Sequence, residues 1–224
     1  QQFFQPDLRS PEAYASSVEA LRDRFRAMLG RPLSEPLPNG APRVRTDFVA
    51  EDDLGRIERV WIEVFPELEL YGVLFVPPGE GPRPLVISQH GGLGTPELTA
   101  GFFGSANYND MTRRMLRRGA VVFAPQLFRW DEAYGRQPDV VELDRQLKQL
   151  GGSIAAFEIT CLRRALDYLV TRPEVDGERL GISGASGGGN QTMYAGAMDK
   201  RFKAVVPVCS VGNYQAYLGR ACCM

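Results

Sequence analysis

Leu180-Gly181-Ile182-Ser183-Gly184-Ala185-Ser186-Gly187-Gly188-Gly189-Asn190 is the stretch that decides the architecture of this chain. Arg179 to Ser183 is a short apolar run of the kind that forms a buried parallel strand, and it is entered from the turn-forming Glu174-Val175-Asp176-Gly177. Asn190 to Met198 then places Met193, Tyr194, Ala197 and Met198 at helical spacing. Between the two, Gly184-Ala185-Ser186-Gly187-Gly188 fits G-x-S-x-G, which sets a serine on a sharp strand-to-helix turn. A turn that tight strains the serine backbone, and a Cβ two residues to either side would strike the neighbouring strand or helix.

Upstream of that turn, the pattern alternates between strands and helices. Leu85-Val86-Ile87-Ser88 and Ala120-Val121-Val122-Phe123-Ala124 read as buried strands, the second ended by Pro125. Tyr108 to Arg118, Glu142 to Leu150 and Ser153 to Val170 read as helices, the last two separated by Gly151-Gly152. Downstream, Phe202 to Val208 is a further strand. At least four parallel strands with crossover helices are therefore expected.

Ahead of this region Arg43 to Ala50, Ile57 to Phe65 and Leu68 to Val76 form an antiparallel meander around Asp52-Asp53-Leu54-Gly55. Ser10-Pro11-Glu12 opens a helix that Gly30 stops, with Tyr14, Val18, Leu21, Phe25 and Leu29 on one stripe. The expected fold class is α/β: a three-layer sandwich with a mostly parallel sheet and an antiparallel N-terminal meander. Residues 1–39 form a helical appendage and residues 40–224 the main domain. The glycine-rich loop from Gly92 to Asn107 leaves the carboxyl end of a strand, where open α/β sheets bind ligands.

Net charge of −1 over 224 residues gives no reason to expect nucleic acid as a partner, and no run reaches the length of a membrane span. The chain starts Gln1-Gln2-Phe3 without a signal sequence, which fits an exported mature protein or a cytoplasmic one. Cys161, Cys209, Cys222 and Cys223 lack metal-ligand spacing, so no metal is expected. They read as buried thiols, with a bridge from Cys209 to Cys222 or Cys223 as the alternative.

The serine loop has two rival readings. Gly-Asp-Ser-Gly-Gly of trypsin-like proteases has an aspartate where Ala185 stands, and that fold has no helix after the serine. Ser183 to Asn190 is also similar to the T-G-A-S-G-G-x-G loop of short-chain dehydrogenases, which would bring NAD(P). Asn190 replaces its last glycine, the loop comes late in the chain, and none of the eight tyrosines has a lysine four positions on.

Together these residues resemble α/β-hydrolases of the dienelactone-hydrolase and acetyl-xylan-esterase type. The likeness rests on Gln89-His90-Gly91-Gly92, on Arg164 to Leu169 leading through Pro173-Glu174-Val175-Asp176, and on Gly184 to Gly189. It covers roughly residues 40 to 224. The resemblance implies hydrolysis of carboxylic esters through an acyl-enzyme, without a cofactor, on a small-molecule ester; acylated carbohydrates are among the candidates. Ser186 would be the nucleophile. The oxyanion would be held by the Gly187 N–H together with that of Gly91 or Gly92. His90, the sole histidine, falls at the oxyanion wall and not at the place of the general base.

Other candidates are plainer. Gln126 and Trp130, after a strand's carboxyl end, would line the pocket. Asp131 is as readily a surface acid, Asp110 a first-turn helix acid, and Glu158 a solvated or helix-paired mid-helix carboxylate.

The family would place a catalytic acid and a histidine on later strands. Residues 187–224 have room for one helix and one strand, whereas the family needs on the order of 100 residues more. The expectation is an amino-terminal portion of a hydrolase, with Val205 and Val206 left uncovered at a sheet edge. The alternative is an inactive relative that binds a ligand in the same cleft.

Overall fold

The computed structural model describes residues 5–102, 107–129 and 140–212. Seven strands form one sheet in the order β1-β2-β3-β5-β4-β6-β7. The meander comes first: β1 (Val44–Asp52), β2 (Gly55–Phe65) and β3 (Leu68–Val76) pair antiparallel, with Asp52 opposite Gly55 at the hairpin. β3 then joins β5 (Val121–Pro125) antiparallel. From there β5, β4 (Arg83–Gln89), β6 (Val175–Ala185) and β7 (Phe202–Val208) run parallel. The expected α/β class and the four parallel strands are what the chain forms.

The helices are α1 (Pro11–Leu29), α2 (Pro96–Thr99), α3 (Met111–Leu116), α4 (Val140–Gln149), α5 (Ile154–Leu169) and α6 (Gly187–Met198). They cover both faces of the sheet. On one face Leu116 of α3 and Ala100 pack against Ile57, Val73, Phe75, Val122 and Ala124. On the other, Leu162, Ala165, Leu166 and Leu169 of α5 and Ala195 of α6 pack on Ile62, Leu74, Ile87, Phe123 and Ile182. The central strand β5 is buried on both sides, so it reads as an unbroken apolar run instead of alternating. Burying a side chain such as Ile87 or Phe123 is worth about 1.5–3 kcal/mol.

α1 begins where the sequence indicates. The Ser10 hydroxyl accepts the Ala13 N–H at 3.1 Å, and Gly30 leaves the helix at φ 77°. Its stripe is only partly covered: Val18 and Leu29 are buried, while Tyr14 faces solvent. Leu29 and Leu33 meet Ala156 and Ile159 of α5 and Met198 of α6, so this segment rests on the α5–α6 layer.

Two elements differ from expectation. β6 starts earlier, at Val175, and the turn at Asp176-Gly177 survives as a bulge inside it: Pro84 pairs with Asp176, but Leu85 pairs with Leu180. The helix expected from Tyr108 begins only at Met111. Asn107–Asp110 forms a single 3₁₀ turn in which Tyr108, Asn109 and Asp110 all have left-handed backbone. Asp110 precedes the first helical residue and its side chain makes no capping hydrogen bond, so it is not a first-turn acid.

β7 lies at the end of the sheet order, and Val205, Val206 and Val208 on it are exposed, as the sequence led us to expect for the first two. Cys161 is buried. Cys209 is not; it follows β7 and is exposed, as are Val205, Val206 and Val208 on that strand. Cys222 and Cys223 lie outside the described residues.

Candidate active site

β4, β5 and β6 end side by side, and their exits build the site. Ser186 caps α6 in a conformation that non-glycine residues rarely adopt, φ 57° and ψ −117°. Its N–H donates to the Val208 carbonyl at 2.9 Å, and its carbonyl accepts from Asn190 at 3.0 Å. The turn is therefore held from β7 and from its own helix. A Cβ on Gly184 would run into the Gly188 carbonyl and come within 2.8 Å of Thr192 Oγ1. One on Gly188 would strike the His90 carbonyl and lie 2.6 Å from that of Gln89. Glycine is required at both places by close approach of main chain to main chain.

Gly91 is the point where the β4 exit touches the serine turn. A Cβ there would sit 2.6 Å from the Ala185 carbonyl oxygen, 2.9 Å from Ser186 Cβ and 3.2 Å from the Gly187 nitrogen. Ser186, Gly187 and Gly91 are thus brought together as the sequence indicated. Gln89 at the end of β4 ties that strand to α6, its Nε2 donating to Thr192 Oγ1 at 3.1 Å.

His90 is fully buried. Its Nε2 accepts the Leu127 N–H at 3.0 Å, so the ring proton is on Nδ1, which donates to the Gly91 carbonyl at 2.8 Å. Burial pushes the imidazole down to about 4, outweighing the Gly91 carbonyl and the charge of Glu97, so it stays neutral. With both nitrogens committed to main chain, His90 braces the β4 and β5 exits against each other and is not a base for Ser186.

The hydrogen bonds also separate Gly91 from Gly92. The Gly91 N–H donates to Tyr108 Oη at 3.0 Å, and that hydroxyl donates to the Gly92 carbonyl at 3.1 Å. None of the hydrogen bonds among the described residues engages the Gly92 N–H. The Gly91–Gly92 peptide is trans, so with its carbonyl turned to His90 its N–H points the opposite way. Tyr108 had no place in the sequence reading beyond opening a helix. Its signal was the flanking Asn107, Asn109 and Asp110, residue types that tolerate left-handed backbone.

Gln126 is buried beside the site, donating to the Leu127 carbonyl at 3.1 Å. Trp130 and Asp131 lie outside the described residues. Glu158 is a correction: it is buried, not solvated, because α5 turns that face toward the β5 exit. Its Oε1 accepts the Arg129 N–H at 3.1 Å, and Oε2 has no hydrogen-bond partner among the described residues. Burial pushes the carboxyl up to about 7 against the pull of the Arg129 N–H and charge. A small cavity bounded by Gln89, Pro125, Leu127, Phe128, Glu158 and Cys161 adjoins it. Among the described residues no group of His, Cys, Asp and Glu side chains is arranged to hold a metal ion.

The sheet order, the strained serine at the β6–α6 turn and the glycine-lined β4 exit define the comparison to make. The model of the dienelactone hydrolase family matches residues 73–215, more than half of the chain. The chain belongs to this family. A curated protein of Bacillus subtilis (strain 168), "Putative hydrolase YtaP", is 28% identical over 200 residues, covering 85% of this family member and 64% of the relative.

Among solved structures, one described as a "putative acetyl xylan esterase" from Bacteroides fragilis NCTC 9343 superposes with a TM-score of 0.73 at 18% identity, over 89% of this chain and 54% of that one. An acetyl xylan esterase from Paenibacillus sp. R4 gives 0.59 at 20% identity, over 98% of this chain and 66% of the other. These likenesses bear on fold. The chain spans roughly half to two thirds of the length of the proteins it matches.

Proposed function

We propose that this protein is a serine hydrolase of carboxylic esters, with Ser186 as nucleophile. The observation that carries the reading is Ser186 itself: a non-glycine residue at φ 57°, at the N-cap of α6 and against Gly91. Backbone strain of this kind costs about 1–3 kcal/mol, and it survives where the surrounding structure enforces it for a purpose. Here it lifts a hydroxyl to the N-terminus of a helix, where negative charge is favoured.

On this reading the Ser186 hydroxyl oxygen attacks the ester carbonyl carbon while a base takes its proton. The carbonyl oxygen becomes an oxyanion that accepts from the N–H groups of Gly187 and Gly92. Gly92 is favoured over Gly91 because the Gly91 N–H is spent on Tyr108. Collapse expels the alcohol, and water repeats the sequence on the acyl-enzyme. His90 acts by holding the Gly91 carbonyl and is not that base. The family and the esterase neighbours support small esters, acylated sugars included, as the substrate class.

Hydrolysis of p-nitrophenyl acetate tests this. Ser186→Ala is expected to abolish turnover while leaving circular dichroism and melting temperature essentially those of the parent. A Ser186→Ala protein as active as the parent would sink the proposal. A parent that binds esters without cleaving them would favour the inactive, ligand-binding alternative.

A further inference from the structure

We infer that Tyr108 is a positioning residue of the oxyanion hole, a role that rests on the serine-esterase reading above. Its phenol oxygen stands between two consecutive glycines of the β4 exit. It takes the Gly91 N–H at 3.0 Å and gives its own proton to the Gly92 carbonyl at 3.1 Å. His90 meanwhile holds the carbonyl between them at 2.8 Å. These hydrogen bonds, together with one from the Gly94 N–H to the Gly91 carbonyl at 3.2 Å, engage every polar group of the Gly91-Gly92 pair except the Gly92 N–H, which is the one left to face developing charge. Without Tyr108 the glycines have no Cβ to limit their torsions, and their N–H groups would sample several directions. An oxyanion donor is effective only when its direction is set before the reaction.

The backbone that delivers this hydroxyl is unusual. Tyr108, Asn109 and Asp110 follow one another at φ 63°, 47° and 52°. Left-handed backbone is unfavourable for side-chain-bearing residues, because it drives Cβ toward the following carbonyl oxygen. Asn and Asp tolerate it; Tyr does not, and a plain helix beginning at Tyr108 would carry no such cost. The segment runs directly into α3, which is anchored by a chain of buried hydroxyls in which its Thr112 bridges Ser88 of β4 (2.9 Å) and Thr99 of α2 (3.0 Å). The strain buys the direction of one phenol. Gly94 confirms how tightly that phenol is seated: a Cβ on it would come to 2.5 Å from Tyr108 Oη and 2.6 Å from His90 Cβ.

Two variants perturb the clamp from opposite sides. Tyr108→Phe keeps the ring and deletes the hydroxyl, whereas Gly94→Ala keeps the hydroxyl and pushes it aside. Each is expected to lower kcat for p-nitrophenyl acetate by about 10- to 100-fold, less than outright loss of an oxyanion donor at 10²–10³, with KM changed by less than about threefold. Amide hydrogen exchange read by NMR should show the Gly91 amide losing protection in Tyr108→Phe while the core strands keep theirs. Parental kcat in Tyr108→Phe would overturn the inference, whatever the Gly91 amide does. So would a fall in kcat matched by a rise in KM, or by lost protection in β4 and β6, since either would mark Tyr108 as merely structural. Ser186→Ala run alongside separates the two readings. If it is as active as the parent, or if the parent is inert, the serine-esterase reading fails and this inference falls with it. If it is dead while Tyr108→Phe is unimpaired, only the role of Tyr108 is lost.

Discussion

Gly188, two residues into the serine turn, presses so closely on His90 that a methyl group there would strike the His90 carbonyl oxygen and lie 2.6 Å from that of Gln89. The contact sets the spacing between the serine turn and the β4 exit. Gly188→Ala is therefore expected to destabilise the fold by about 1–3 kcal/mol, the usual cost of overpacking, since main chain and not a flexible side chain must give way. Urea unfolding measures it, and a change below about 0.5 kcal/mol, typical of an unconstrained surface site, would show that the two segments are not in contact.

Ser186→Gly makes the opposite prediction for stability. Glycine relieves the left-handed strain, worth about 1–3 kcal/mol, and returns about 0.5–1 kcal/mol as extra freedom of the unfolded chain. The net expectation is a protein more stable by roughly 0.5–2 kcal/mol and without esterase activity. Calorimetry that finds Ser186→Gly less stable than the parent would mean the serine backbone is not strained.

Gly91→Ala tests the junction of the β4 exit with the serine. The added methyl would face Ser186 Cβ at 2.9 Å and the Gly187 nitrogen at 3.2 Å, forcing nucleophile and donor apart. A displacement of about 1 Å at a reacting centre can cost on the order of 10²-fold, so kcat/KM for p-nitrophenyl acetate should fall by at least that much. Parental kinetics would place the reacting centre elsewhere.

Two of the buried titratable groups, His90 and Glu158, pull the pH profile in opposite directions. His90 titrates near 4 when folded against an ordinary 6.5, so its contribution to stability is present above 6.5 and lost as pH falls through 4. Glu158 titrates near 7 when folded against an ordinary 4.5, so its contribution is present below 4.5 and lost as pH rises through 7. Between 4.5 and 6.5 the two offset each other. Glu158→Gln removes only the second, and its stability relative to the parent should climb by about 3 kcal/mol from pH 4.5 to 8. Denaturant unfolding at several pH values checks this; a difference that stays flat would mean Glu158 is not held away from water.

Much of the site was legible because its signals are local. Gly184, Ser186 and Gly188 form a turn whose steric demands fall on neighbouring residues, so five letters specify strand, serine and helix. The α1 cap at Ser10, the hairpin at Asp52–Gly55 and the apolar runs of β4, β5 and β7 depend on propensity and periodicity over a few residues in the same way. What the sequence alone could not determine were the pairings between distant segments. Which of the Gly91 and Gly92 N–H groups is already engaged depends on Tyr108, which reaches the loop through a run of left-handed residues in place of the helix that periodicity favours. Whether Glu158 is solvated or buried depends on how α5 is rotated over the β5 exit, and that rotation is set by the packing of Leu162, Ala165 and Leu169 on the sheet. The neutrality of His90 has the same origin: the Leu127 N–H that fills its Nε2 lies 37 residues away and meets it only because β4 and β5 pair as parallel neighbours.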